Sequence, residues 1–148
     1  MPAGPLIDSL AHMKTLCLII AGLLVATSSL SAQCDTAVVV ADTCEFREML
    51  NRHDGVLIDV RTPQEWQTGY IPGAINIDFR SADFNTRIAQ LDTAGTYYVY
   101  CEVGGRARMA AQYMIDQGFC RVVVLQGGIR QWKTAGYAVT IPATKNKK

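Results

Sequence analysis

A chain of 148 residues suits one domain and leaves little room for a second. Its 49% hydrophobic and 18% charged residues are ordinary for a globular protein, which argues against a disordered or fibrous chain. A formal net charge of +1, with no basic stripe, gives no support for nucleic-acid binding. In chain order, the first feature is the unbroken apolar run from Leu16 to Ala26, preceded by Lys14 and followed by Thr27, Ser28, Ser29 and small residues up to Ala32. A basic start, a short apolar stretch and a small-residue exit predict a secretory signal. The run is shorter than the roughly 20 residues a membrane-spanning helix needs. The signal is read as starting at Met13 with cleavage near Ala32 or Gln33. Residues 1–33 are therefore expected to be an N-terminal extension and signal, 34–142 one domain, and 143–148 a basic tail carrying Lys145, Lys147 and Lys148. The mature protein is expected in the periplasm or secreted, without a membrane span. A lipid anchor on Cys34 is the lesser reading, because Gln33 stands where such anchors want a small residue.

Beyond the signal, helix and strand patterns alternate. Val38–Val40 is a short β-branched run. Asp42 with Glu45 resembles a capping box and opens a helix whose apolar face is Phe46, Met49 and Leu50. Val56–Val60 reads as a strand apolar on both faces, hence buried and parallel. Thr62-Pro63-Gln64-Glu65 combines a cap, a proline at the first helical position and a glutamate three residues after the cap. Gly69 ends that helix. Ile71-Pro72-Gly73 is a turn and Ala74–Ile77 a short strand. Ser81 or Asp83 is expected to cap a helix carrying Phe84, Ile88 and Leu91. Thr96–Tyr100 suits a strand. Arg106–Gln117 reads as a helix with Ala110, Ala111, Met114 and Ile115 on one face, stopped by Gly118. Val122–Leu125 is the last strand, and Gly127-Gly128 opens a final helix with Ile129 and Trp132, the tryptophan expected in the core. This alternation predicts an α/β domain with a mostly parallel sheet. In such sheets ligands bind beyond the carboxyl ends of the strands, which is where Cys101 falls.

Of the five cysteines, Cys34, Cys44, Cys101 and Cys120 outlast the signal. Export would permit disulfides. There is no CxxC, and His53 is the only histidine of the mature part, so no metal site and no cofactor are expected. Around Cys101 the sequence runs Tyr100-Cys101-Glu102-Val103-Gly104-Gly105-Arg106-Ala107-Arg108. Helix N-termini and cations lower a thiol's pKa. The helix start supplies unpaired amides. Gly104 and Gly105 can take positive φ and turn successive N–H groups into an anion-binding nest. Arg106 and Arg108 add positive charge. The loop shape is expected to display the sulfur rather than hide it, as a site for a thiolate, a persulfide or a bound oxyanion.

Three ordered motifs carry a resemblance. Asp59-Val60-Arg61, Glu65-Trp66 and Gly69-Tyr70-Ile71-Pro72-Gly73-Ala74-Ile75-Asn76 resemble the N-terminal signature of the rhodanese family. Tyr100-Cys101 through Ala107 resembles its Cys-x-x-Gly-x-Arg loop, and Leu125-Gln126-Gly127-Gly128-Ile129 with Trp132 is similar to its C-terminal signature. Together they span about Val38 to Val139. The resemblance implies a five-stranded, mostly parallel sheet with helices on both faces. It also implies a sulfurtransferase in which Cys101 takes sulfur from thiosulfate or a persulfide and passes it to a thiol or cyanide. Cys101 is then the catalytic residue, and the backbone of Glu102, Val103, Gly104, Gly105 and Arg106 binds substrate. Asp59, Arg61 and Glu65 are read as scaffold, with a catalytic role for Asp59 the lesser reading. In the family topology the first and last strands are neighbours, which makes Cys34 and Cys120 the expected disulfide, leaving Cys101 free. The chain departs from common relatives at Glu102, whose charge opposes a thiolate and a dianionic donor, and at Ala107 and Tyr70.

Three other readings compete: a non-catalytic interaction module of the same fold, a cysteine-dependent phosphatase and a thiol–disulfide module. The phosphatase needs five residues between cysteine and arginine, whereas four separate Cys101 from Arg106 and Ala107 occupies the required position. The missing CxxC argues against the thiol–disulfide module, although a resolving role for Cys44 stays open.

Overall fold

A computed structural model describes residues 36–52 and 55–143. The expected extension and signal, Cys34, His53 and the lysine tail lie outside the described residues. Five strands form one sheet: β1 (Ala37–Ala41), β2 (Val56–Asp59), β3 (Ile75–Asn76), β4 (Thr96–Tyr100) and β5 (Arg121–Leu125). Their order is β1-β5-β4-β2-β3, and every pairing is parallel. Parallel neighbours need crossover connections, supplied by α1 (Thr43–Arg52), α2 (Pro63–Gln67), α3 (Phe84–Ile88) and α4 (Gly105–Asp116), with α5 (Gly128–Thr134) following β5. Because all strands run one way, their carboxyl ends share one edge, where Asp42, Arg61, Cys101 and Gln126 follow.

Both anticipated capping boxes form. Asp42 Oδ1 accepts from Cys44 N–H at 2.8 Å and Glu45 N–H at 2.9 Å, while Asp42 N–H donates to Glu45 Oε2 at 3.3 Å. Thr62 Oγ1 accepts from Glu65 N–H at 3.3 Å and Thr62 N–H donates to Glu65 Oε2 at 3.0 Å, with Pro63 opening α2. The α3 cap differs from expectation. Asp83 occupies the cap position, yet its carboxylate makes no cap bond and instead accepts from the Ser81 hydroxyl.

The sheet separates two apolar clusters. On one face Ile58, Tyr97, Val99, Val122 and Val124 meet Phe84, Ile88, Ala107, Ala110, Ala111 and Met114. On the other, Leu57, Tyr98, Tyr100, Val123 and Leu125 meet Phe46, Ile129 and Trp132, so helices cover both faces. The alanines of α4 are buried against the sheet, and Trp132 is core as anticipated, its Nε1–H donating to Ala138 O at 2.9 Å. Among the described residues no helix is long and apolar enough to cross a membrane.

Candidate active site

Strand β4 sets the position of Cys101. Side chains alternate along a strand, so Cys101 continues the face of Tyr97 and Val99 and points toward α4. Gly104 takes φ +98° at the cap of α4, a conformation that favours glycine. Its N–H then donates to Cys101 Sγ at 3.1 Å. The first intrahelical bond runs from Arg108 N–H to Gly104 O at 3.1 Å, so Gly105, Arg106 and Ala107 start the helix without partners one turn back. Two expectations need correction. Gly105 is an ordinary first helical residue, and only Gly104 of the pair has positive φ. Cys101 is also not displayed, being 1% exposed. The strand alternation turns it inward, and the 102–104 loop curls over the sulfur.

Helix α5 fixes that curl. Ile129 N–H donates to Cys101 O at 2.9 Å and Arg130 N–H to Glu102 O at 3.2 Å. In a trans peptide the N–H lies opposite the C=O, so the amides of Glu102 and Val103 point away from α5. Gly128 permits the approach. It sits at φ +60°, and a Cβ there would lie 2.3 Å from Cys101 O and 2.6 Å from Glu102 O. The supporting role of Gly128 was not assigned from sequence, although the Gly127-Gly128 doublet was its visible trace.

Charged groups hold the opposite side. Asp59 and Arg61 are fully buried and bond through Arg61 Nη2 to Asp59 Oδ2 at 2.7 Å and Arg61 Nε to both carboxylate oxygens at 3.0 and 3.1 Å. Arg61 Nη2 also donates to Gly69 O at 2.7 Å, and Asn76 Nδ2 donates to the carbonyls of Asp59 and Arg61. Burial alone would lower the Arg61 pKa, but the Asp59 hydrogen bonds and charge outweigh it and hold the guanidinium firmly protonated. The Arg61 Nη1 atom reaches Glu102 Oε2 at 3.4 Å.

Arg106 is gripped by Glu65, with Nη1 to Oε2 at 2.7 Å and Nη2 to Oε1 at 2.6 Å. The Arg106 hydrogen bonds hold the Glu65 carboxyl down at about 2. Arg106 adds positive charge beside Cys101, as expected, and interacts electrostatically with it, but Glu65 holds the guanidinium and offsets much of that charge; Arg108 is solvent-exposed. Glu102 lies between Arg61 and Arg130, whose Nε is 3.8 Å from Oε1. Tyr70 stacks on Trp66 with ring centroids 3.7 Å apart, and Ala107 is buried beneath the loop.

Cys44 is an exposed free thiol and Cys101 a buried one. Cys120 is disulfide-bonded; Cys34, the partner read for it, lies outside the described residues. The strand adjacency on which that pairing rests, β1 beside β5, is present.

A comparison with family models matches residues 42–135 to the rhodanese-like domain. Among curated proteins, the chain is 30% identical over 96 residues to an Allochromatium vinosum protein named sulfurtransferase, covering 65% of this chain and 88% of that one. It is 35% identical over 91 residues to thiosulfate sulfurtransferase GlpE of Pseudomonas syringae pv. syringae, covering 61% and 83%. Among solved structures, a rhodanese-related protein from Thermoplasma volcanium superposes with a TM-score of 0.63 at 26% identity, over 70% of this chain and 99% of that one.

Proposed function

We propose that this chain, which belongs to the rhodanese-like domain family, is a sulfurtransferase that carries sulfur as a persulfide on Cys101. The observation that carries the reading is the Gly104 N–H aimed at Cys101 Sγ at 3.1 Å, at the carboxyl end of β4 and the start of α4. An amide and a helix N-terminus at a sulfur favour its anion. In the first half-reaction the Cys101 thiolate attacks the outer sulfur of the donor. With thiosulfate, the new bond is between Sγ and that sulfur, the old sulfur–sulfur bond breaks, and sulfite leaves with the electron pair. With a persulfide donor the leaving group is a thiolate. In the second half-reaction a thiolate or cyanide attacks the outer sulfur of the Cys101 persulfide and restores the thiolate. No side-chain base is required once the thiolate exists. The backbone amides of Glu102, Val103, Gly104, Gly105 and Arg106 form the cradle for the added sulfur.

Because Cys101 is 1% exposed, a donor reaches Sγ either by parting the loop or by sending one terminal sulfur atom between its amides. A phosphate ester fits that approach poorly, and the arginine that would clamp it is replaced by Ala107. A non-catalytic module has no need of a free thiol under a glycine-capped loop. Export of the domain belongs to the same reading and is supported by the Leu16–Ala26 run. Mass spectrometry after exposure to a sulfane-sulfur donor should find one added sulfur on Cys101. Cys101→Ser should lose both that adduct and thiol-dependent release of sulfite or sulfide, down to the rate without enzyme. A serine variant as active as the wild type, or an unmodified wild type, would remove the reading.

A further inference from the structure

Three arginines surround the Cys101 loop, and each is already matched by a carboxylate. Arg61 is fully buried against Asp59 and reaches Glu102. Arg106 is held by both oxygens of Glu65. Arg130, though 68% exposed, lies 3.8 Å from the other oxygen of Glu102. Three positive charges meet three negative ones at Asp59, Glu65 and Glu102. Asp78 adds a further negative influence on Arg106. Arg108 faces solvent, where its field is screened. At the sulfur, the favourable interaction of Arg106 with Cys101 is offset by the Glu65 carboxylate that holds it, which leaves chiefly the partial positive charge of backbone amides. The half-buried Glu102 stands directly beside Cys101 in the chain, its carboxylate set among the loop's ion pairs.

We infer that the site selects a singly charged sulfane-sulfur donor, an organic persulfide or thiosulfonate, over dianionic thiosulfate, and that Glu102 is the specificity-determining residue. The inference rests on persulfide transfer through Cys101. A thiolate approached by a dianion brings three negative charges together, with no surplus side-chain cation to receive them. A monoanionic donor brings two. For a thiosulfonate, Cys101–S⁻ attacks the terminal sulfur of R–SO₂–S⁻, the sulfur–sulfur bond of the donor breaks, and R–SO₂⁻ leaves with the electron pair, giving Cys101–S–S⁻. For a persulfide, R–S–S⁻ gives the same adduct and R–S⁻. Charge and atoms balance in both.

Methanethiosulfonate is the probe of choice, since it is thiosulfate with one anionic oxygen replaced by a methyl group. Its kcat/KM and that of thiosulfate are compared in the wild type and in Glu102→Gln, with 2-hydroxyethyl hydropersulfide as a third donor to separate the thiosulfonate from the persulfide source. Removing one charge about 6 Å from a solvated donor should raise kcat/KM about threefold for a monoanion and about tenfold for thiosulfate. The thiosulfate to methanethiosulfonate ratio therefore rises about threefold. Salt supplies a second readout on the unaltered protein. Raising ionic strength should increase kcat/KM for thiosulfate more than for methanethiosulfonate, because repulsion is being screened. A ratio unchanged by Glu102→Gln, or a thiosulfate rate that falls with salt, would overturn the inference while leaving transfer intact. Failure of all three donors to place sulfur on Cys101 would remove the transfer reading and this inference together.

Discussion

The loop over Cys101 is held from two sides by different means. On one side stand charged side chains: Asp59 with Arg61, Glu65 with Arg106, and Glu102 between Arg61 and Arg130. On the other stands mainly backbone, where α5 offers the amides of Ile129 and Arg130 and the bare Cα of Gly128, with the exposed Arg130 side chain reaching across to Glu102. The charged side fixes position through groups that titrate and can be replaced. The backbone side fixes orientation through contact distance, and no side chain can imitate it. Electrostatics around the sulfur are set on the first side, and the direction of the loop amides on the second.

The largest effect is expected where the charged side is fully buried. Removing one partner of a buried ion pair strands the other charge, at a cost of about 3–5 kcal/mol. Arg61→Ala should lose that much in urea unfolding, since Asp59 is also fully buried and Gly69 O loses its donor. Replacing both Asp59 and Arg61 by apolar residues of similar size should cost less than Arg61→Ala alone. A single-variant loss below about 1 kcal/mol would show that solvent reaches the pair and that the two sides differ less than their burial suggests.

Gly128→Ala breaks the backbone side. The residue sits at φ +60°, and the added methyl would overlap the Cys101 and Glu102 carbonyls. Strain and displacement together should cost about 2–3 kcal/mol. The effect on chemistry should be greater. A shift of about 1 Å in a reacting group costs about 10²-fold in rate, so persulfide formation should fall by that order at temperatures where circular dichroism shows the fold intact. Full activity in a folded Gly128→Ala protein would mean that α5 does not orient the loop.

The two sides also differ in how plainly the sequence announced them. Caps at Asp42 and Thr62, the apolar strands, the turn around Gly73 and the place of Cys101 after a strand are local patterns, and each is found in the fold. The doublet Gly127-Gly128 was visible because a special backbone leaves its mark in composition. On the charged side the scaffold residues Asp59, Arg61 and Glu65 were visible but their long-range partners were not, because Glu65 meets Arg106 and Arg61 meets Glu102 across 41 positions each. No local rule pairs residues at that distance, so the sequence shows Arg106 as positive charge beside the loop without the carboxylate that holds it. The burial of Cys101 is written in a local pattern, since Tyr97, Val99 and Cys101 share the two-residue period that turns the sulfur inward, against the expectation that the loop displays it. The cap of α3 failed for a local reason, since Ser81 competes for the Asp83 carboxylate.

The smallest effect belongs to the half-exposed pair, and pH makes it readable. Glu65 has its carboxyl at about 2 against an ordinary 4.5, chiefly through the Arg106 hydrogen bonds. Between those values the unfolded chain binds a proton that the folded protein does not. The stability this carboxylate contributes is therefore complete above about pH 5 and is lost as pH falls through 4.5 toward 2. Glu65 is 33% exposed on its side chain, and solvent screening reduces the full shift to about 1–2 kcal/mol. Glu65→Gln should be less stable than the wild type by that amount at pH 7, with the gap closing between pH 4.5 and pH 2 in urea titrations. A gap that stays constant with pH would place its origin in the Thr62 cap, which a glutamine retains in part, and would leave Arg106 as a positive charge available to the loop after all. The same experiment thus decides whether the half-exposed pair behaves as part of the charged side or as one more capped helix start.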